Sequence, residues 1–206
     1  MSSETSTPAR PALSRDTPVA DSCRQAAKAS GPLGVVALAS FIGSLVATGG
    51  DSLELATSPL SIAASVLGVT ALIALTIGMF SIAADHPALH SGSGRVGWLI
   101  ALIGTVLAAG GQWAQLFVLP GLAGPAPDLA TNGIDSVVAG YIASYIVLGV
   151  GWLIVGITLL RSGAATKGLA WFLIIGAVLC IPPLPVRFVF VTVAVSLLAR
   201  RTAARG

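Results

Sequence analysis

Charge is scarce in this chain. Of its 206 residues 9% are Asp, Glu, Lys or Arg, against 55% hydrophobic residues, and the mean hydropathy is +0.92. A soluble domain carries about 25% charged residues. A water-facing fold has no way to hide this much apolar surface, whereas lipid solvates it. Histidine is limited to His86 and His90, both in a polar loop, so no histidine pair within a span ligates a haem. Their i,i+4 spacing would aim two nitrogens at one metal on a helix. Pro87 and the following Ser/Gly run interrupt that helix, and only Asp85 is near as a third ligand, so no metal site is expected. The two cysteines, Cys23 in the polar N-terminal stretch and Cys180 in an apolar one, belong at different depths. No disulfide is expected, and Cys180 reads as a small hydrophobe.

Charge inside the apolar stretches is missing altogether. Every Asp, Glu, Lys and Arg maps to a tail, a loop or a span end. An ionisable residue within a span is the usual mark of a proton relay or ion-coupled site, and its absence speaks against both. No nucleophile elbow, P-loop, zinc signature or dinucleotide fingerprint occurs. No catalytic residue and no cofactor are therefore expected, and the chain reads as a non-enzyme. The isoelectric point near 9.3 does not imply nucleic acid, because the basic residues flank apolar runs instead of forming one basic face.

What is present is a series of six apolar runs. Residues 1–30, rich in Ser, Thr, Pro and Ala, read as a disordered cytoplasmic tail, within which Asp21–Ser30 can form a short interfacial helix. The membrane bundle occupies 31–199 and a basic tail 200–206. The first span is expected at Pro32–Thr48, with Pro32 in the first helical turn, where its missing N–H costs nothing. The second follows at Pro59–Ala84, the third at Val96–Leu119 and the fourth at Val137–Leu160. The last apolar region splits into Gly168–Ile181 and Val186–Ala199 around Pro182, Pro183, Leu184 and Pro185, because three prolines in four residues cannot continue a helix. Fourteen helical residues rise about 21 Å, against about 30 Å of hydrocarbon. The pair therefore either crosses with local thinning or forms a re-entrant hairpin. The fold class is all-α: a polytopic transmembrane bundle of about six spans.

Basic residues set the orientation. Arg10, Arg15, Arg24 and Lys28 precede the first span; Arg95, Arg161 and Lys167 lie in the second and fourth loops; Arg200, Arg201 and Arg205 end the chain. Only Arg187 falls on the other side. Positive residues mark the cytoplasmic side, so both termini are expected inside and loops 49–58 and 120–136 outside. Arg187 is expected to reach the outer interface and pair with an outer-loop acid, Asp135 or Asp128 before Asp51 or Glu54.

The richest polar constellation is Gly110-Gly111-Gln112-Trp113-Ala114-Gln115 in the third span. Gln112 and Gln115 share a helix face, and Tyr141 and Tyr145, four apart, lie at similar depth in the fourth span. A buried amide in lipid needs partners. Gln112, Trp113, Gln115, Tyr141, Tyr145 and Arg187 are the candidate site, a polar pocket open to the outside between spans three, four and six. The plainer reading is interhelical hydrogen bonding with an aromatic belt. Small residues recur every four positions at Gly97, Ala101, Thr105 and Ala109, at Ser40 and Ser44, and at Gly140 and Ser144, the spacing of close helix contacts. A Gly-Trp-Leu-Ile string occurs at 97–100 and again at 151–154. It is read as coincidence, because the two copies are expected at different depths.

The stretches Trp113-Ala-Gln-Leu-Phe-Val-Leu-Pro-Gly-Leu-Ala123 and Leu148-Gly-Val-Gly-Trp-Leu-Ile-Val-Gly-Ile-Thr-Leu-Leu-Arg161, with the later Pro-Pro-Leu-Pro, resemble uncharacterised six-helix membrane proteins of high-GC Gram-positive, actinobacterial type. The resemblance covers about residues 95–199. It implies a bacterial plasma (inner) membrane setting and brings no activity and no functional residue. Two roles are expected from the residues themselves. One is a non-enzymatic accessory or interaction component whose small-residue faces meet a membrane-protein partner or a second copy. The alternative is a small transporter or binder of lipids or small molecules using the polar pocket. Membrane lipids are partners in either case; nucleic acid is not.

Overall fold

A computed structural model describes residues 17–182 and 187–203. Among them there is no strand. The helices are α1 (Pro18–Ala47), α2 (Ser52–Thr57), α3 (Pro59–Asp85), α4 (Gly92–Leu122), α5 (Pro127–Asn132), α6 (Asp135–Arg161), α7 (Lys167–Leu179) and α8 (Val189–Ala203), with a 3-10 turn at Pro87–Leu89. Four stretches are long and apolar enough to cross a membrane: α1, α3, α4 and Pro127–Arg161, which joins α5 to α6. The shorter apolar α7 and the 15-residue α8 complete the bundle. These six helices close into a ring in the order α1, α3, α4, α6, α7, α8, with α8 touching α1 again.

The first helix begins earlier than the sequence pattern implies. Thr17 caps it by accepting the Ala20 N–H at 3.3 Å, and Pro18 stands in the first turn. The segment 18–30, read above as part of a disordered tail with a short helix possible at Asp21–Ser30, is thus helical throughout and continuous with the first span. It is also packed: Ala27, Ser30 and Gly31 are buried, and a Cβ on Gly78 of α3 would lie 2.6 Å from Ala27 Cα. Arg24 reaches Asp85 at the end of α3, at 3.9 Å. Residues 1–16 of that tail and 204–206 of the basic tail lie outside the described residues.

Pro32 therefore sits inside α1, not at its start. A proline within a helix removes the N–H that would bond four residues back, here to Lys28. The α8 hydroxyl of Ser196 donates to that Lys28 carbonyl at 2.7 Å. Freed backbone in lipid persists only when a neighbouring helix satisfies it. Gly31 makes this approach feasible, since a Cβ there would stand 2.6 Å from Ser196 Cβ.

Small residues also set the α4–α6 contact. A Cβ on Gly97 would meet Ile154 Cγ2 at 2.5 Å; on Gly104, the Leu148 nitrogen at 2.3 Å; on Gly151, the Ala101 nitrogen at 2.1 Å. The two Gly-Trp-Leu-Ile strings therefore face each other, Gly97 against Ile154 and Gly151 against the Ile100–Ala101 peptide. Placing them at different depths was wrong. The helices run antiparallel, so a position near the start of α4 and one near the end of α6 share a level. At the same seam Trp152 donates its indole N–H to Thr105 Oγ1 at 3.3 Å, and Thr105 donates to the Ala101 carbonyl at 2.7 Å.

Loops are short and locally satisfied. Asp51 Oδ1 accepts the Leu53 and Glu54 N–H groups at 3.0 and 2.9 Å and so starts α2. His90 Nε2 lies 2.6 Å from the Ala83 carbonyl, closing the turn between α3 and α4. Among the described residues no three His, Cys, Asp or Glu side chains gather where they could hold a metal.

Candidate functional site

Four of the six residues singled out by the sequence come together where α4, α6 and the α7–α8 break meet. Gln112 is buried on α4. Its Nε2 donates to the Tyr145 hydroxyl at 2.9 Å and to the Tyr141 hydroxyl at 3.2 Å. The two tyrosines, one turn apart on α6, stand edge to face with ring centroids 5.0 Å apart. Gly68 of α3 leaves room beside them: a Cβ there would lie 3.1 Å from Phe188 Cζ and 3.7 Å from Gln112 Oε1.

Arg187 completes the cluster. Its guanidinium lies 4.1 Å from the Tyr145 ring centroid and 5.3 Å from that of Tyr141. Its Nη1 donates to the carbonyls of Pro182, Cys180 and Ile181 at 2.9, 3.3 and 3.5 Å. These carbonyls belong to the cap of α7 and the two residues after it, beside a helix terminus that carries partial negative charge. In return the Cys180 thiol donates to the Arg187 carbonyl at 3.4 Å. Arg187 does not reach out to an interface. It is 3% exposed, and none of Asp51, Glu54, Asp128 and Asp135 forms an ion pair with it. The expectation of a snorkelling, acid-paired arginine is therefore corrected. Carbonyls released by the helix break, together with two aromatic faces, hold the cation inward without a carboxylate. Nε, equally buried, has no hydrogen-bond partner. Pro183, Leu184 and Pro185 of the break lie outside the described residues.

The other two residues part from the cluster. Trp113 is 57% exposed and tilts against Phe117, ring centroids 4.7 Å apart, facing away from the bundle. Gln115 lines a different space, a groove of about 610 Å³ between α4 and α6 under α5. The groove takes in Tyr141 and Ser144 but not Gln112, Tyr145 or Arg187. Its walls are apolar: Leu107, Val118 and Leu122 from α4, Val137 and Val138 from α6, Leu129 from α5. It exists because side chains are missing, since a Cβ on Gly110 or Gly140 would meet nothing within 4 Å. Asn132, Thr131 and Gln115 supply polar points. A cavity of about 40 Å³ lies on the far side of Gln115, against Ser61 and Ser65 of α3.

The anticipated polar pocket is thus two things. Gln112 bonds the hydroxyls of Tyr141 and Tyr145, Arg187 lies against the two rings, and the open volume beside them is apolar. Tyr141 belongs to both. Sequence reasoning found Gln112, Tyr141, Tyr145 and Arg187, but not the α7 carbonyls or Gly140 as the floor of a groove. The Gly110–Gly111 pair was the visible signal for the groove. Nothing in the cluster resembles a nucleophile with its base or a paired acid and base. No family model matches the chain, and neither does any curated protein or solved structure. Among the described residues, fold and site define an all-helical protein with four stretches long and apolar enough to span a membrane, and no residue role is carried over from a relative.

Proposed function

We propose that this is a non-enzymatic integral membrane protein of a bacterial plasma membrane that binds the apolar chain of a lipid or similar amphiphile between α4 and α6. The observation that carries this reading is the groove: about 610 Å³, walled by aliphatic side chains and floored by two glycines. That volume falls within the usual range of small-molecule sites, about 300–1,000 Å³. Rim residues such as Leu107, Val118 and Val137 are exposed, so the groove opens sideways toward the surrounding lipid. At that depth the medium that fills an apolar opening is hydrocarbon.

The accessory role is the second reading. Several small residues are used within the chain, Gly97, Gly104 and Gly151 between α4 and α6, Gly31 against α8 and Gly78 against α1, while Gly140 stays open on the groove. In the orientation we propose, both termini are cytoplasmic and α2 and α5 face outward, following the ten-to-one basic asymmetry. At 13 and 15 residues, α7 and α8 rise about 20 and 22 Å. They complete six membrane segments if the bilayer thins beside them.

Native mass spectrometry of the protein extracted in mild detergent tests the reading. The wild type should retain lipid-sized adducts that the double variant Gly110→Phe/Gly140→Phe, with the groove filled, has lost. Equal retention by both would refute it. A co-purifying membrane protein released by the same variant would favour the accessory role instead.

A further inference from the structure

We infer that the groove selects an anionic membrane lipid, and that Arg187 supplies the selectivity through the Tyr141 ring. This rests on the groove being a lipid site, and it adds which lipid. Three observations converge. Arg187 is 3% exposed, has no carboxylate partner among the described residues, and leaves Nε unbonded. Among those residues its charge is met by neutral carbonyls and by the faces of Tyr145 and Tyr141. Tyr141 is at once a wall of the groove and a ring under that guanidinium, 5.3 Å from its centre.

A buried cation without a counter-charge leaves positive potential around it, and low-dielectric surroundings screen it little. The groove shares Tyr141 with that cation, the ring being a groove wall and lying 5.3 Å from the guanidinium. Nothing in the groove lining opposes that potential, since it holds no Asp or Glu and no Lys or Arg. Polar points for a headgroup are in place: the Gln115 and Asn132 amides border the groove, as does Ser144, whose own hydrogen goes to the Tyr141 carbonyl at 2.7 Å and whose oxygen stays an acceptor. The short α7 and α8 draw the lipid interface toward the break that carries Arg187. An acidic headgroup therefore lies beside Tyr141, with its chains along Leu107, Val118 and Val138. A zwitterionic lipid of the same chains fits the same walls but gains less from the cation.

The full-length protein is reconstituted in detergent and titrated by native mass spectrometry with phosphatidylglycerol and, separately, with phosphatidylcholine of identical acyl chains. Both should bind, with phosphatidylglycerol favoured on the order of tenfold, the scale of one charge–charge attraction across about 10 Å at an effective dielectric near 20. Gly110→Phe/Gly140→Phe should abolish the binding of both lipids and with it the preference. Arg187→Gln should keep phosphatidylcholine binding and erase the preference, while Arg187→Lys should retain part of it. Equal affinities in the wild type, or a preference that survives either groove filling or Arg187→Gln, would overturn the inference. Where Arg187→Gln does not fold, the wild-type comparison and the groove-filled variant decide the lipid preference of the groove, and Tyr141→Leu, which removes the shared ring, decides the route: a preference unchanged in that variant would overturn the inference. Neither lipid responding to groove filling would overturn the groove itself, a separate outcome from a groove that binds both lipids alike.

Discussion

Glycine at the α4–α6 seam gives the sharpest test of the packing argument. A Cβ on Gly151 would stand 2.1 Å from the Ala101 backbone nitrogen and 2.4 Å from its Cα. Ordinary contact begins near 3.4 Å, so Gly151→Ala forces the two helices apart by about 1.3 Å at that point. No flexible side chain can yield, because the obstacle is backbone. Overpacking typically costs about 1–3 kcal/mol, and this site belongs at the upper end. The parting also strains the Trp152–Thr105 hydrogen bond, now 3.3 Å. Against it stands the better helix propensity of alanine, about 1 kcal/mol. The net expectation is a loss of about 2 kcal/mol. Gly140, on the same helix, is the control. A Cβ there meets nothing within 4 Å, so Gly140→Ala should be neutral or stabilise by up to about 1 kcal/mol. Unfolding of both variants in detergent, by heat or by SDS titration, reads the difference. If Gly151→Ala proves as stable as Gly140→Ala, the helices do not cross at Gly151 and the account of the seam fails.

Three further outcomes are expected. Gln112→Leu removes the donors to the Tyr141 and Tyr145 hydroxyls and should lower stability by about 0.6–2 kcal/mol, the range for polar contacts between membrane helices; no change in unfolding would make the amide incidental. Arg187→Ala strands the carbonyls of Cys180, Ile181 and Pro182 and should cost more, about 3 kcal/mol; Gln112→Leu costing as much or more would contradict the capping role. With native cysteines replaced, Ser52→Cys and Thr131→Cys should react with an impermeant thiol reagent on intact cells, and Ser93→Cys should not, because the basic asymmetry puts α2 and α5 outside; the reverse pattern would invert the topology.

Sequence alone was enough to show that the chain is helical and apolar on a membrane scale. The reason is local: hydrophobic run length and the punctuation by Pro and Gly need no neighbour to be read. The bounds of α3, α4 and α6 followed within a few residues for that reason. Polar groups within apolar runs are also rare enough to be visible, so Gln112, Tyr141 and Tyr145 stood out as a cluster. Tertiary contacts decided the rest. Pro32 is tolerated inside α1 because Ser196, 164 positions away in the chain, satisfies the Lys28 carbonyl, and no local pattern encodes that. Arg187 faces inward because α7 ends beside it with open carbonyls and α6 brings two aromatic rings, an environment assembled from three separate segments. The groove, too, belongs to no single segment. Gly140 reads as an ordinary small residue, and the Gly110–Gly111 pair as no more than a weak place in α4, until α4 and α6 align and leave the space between them unfilled.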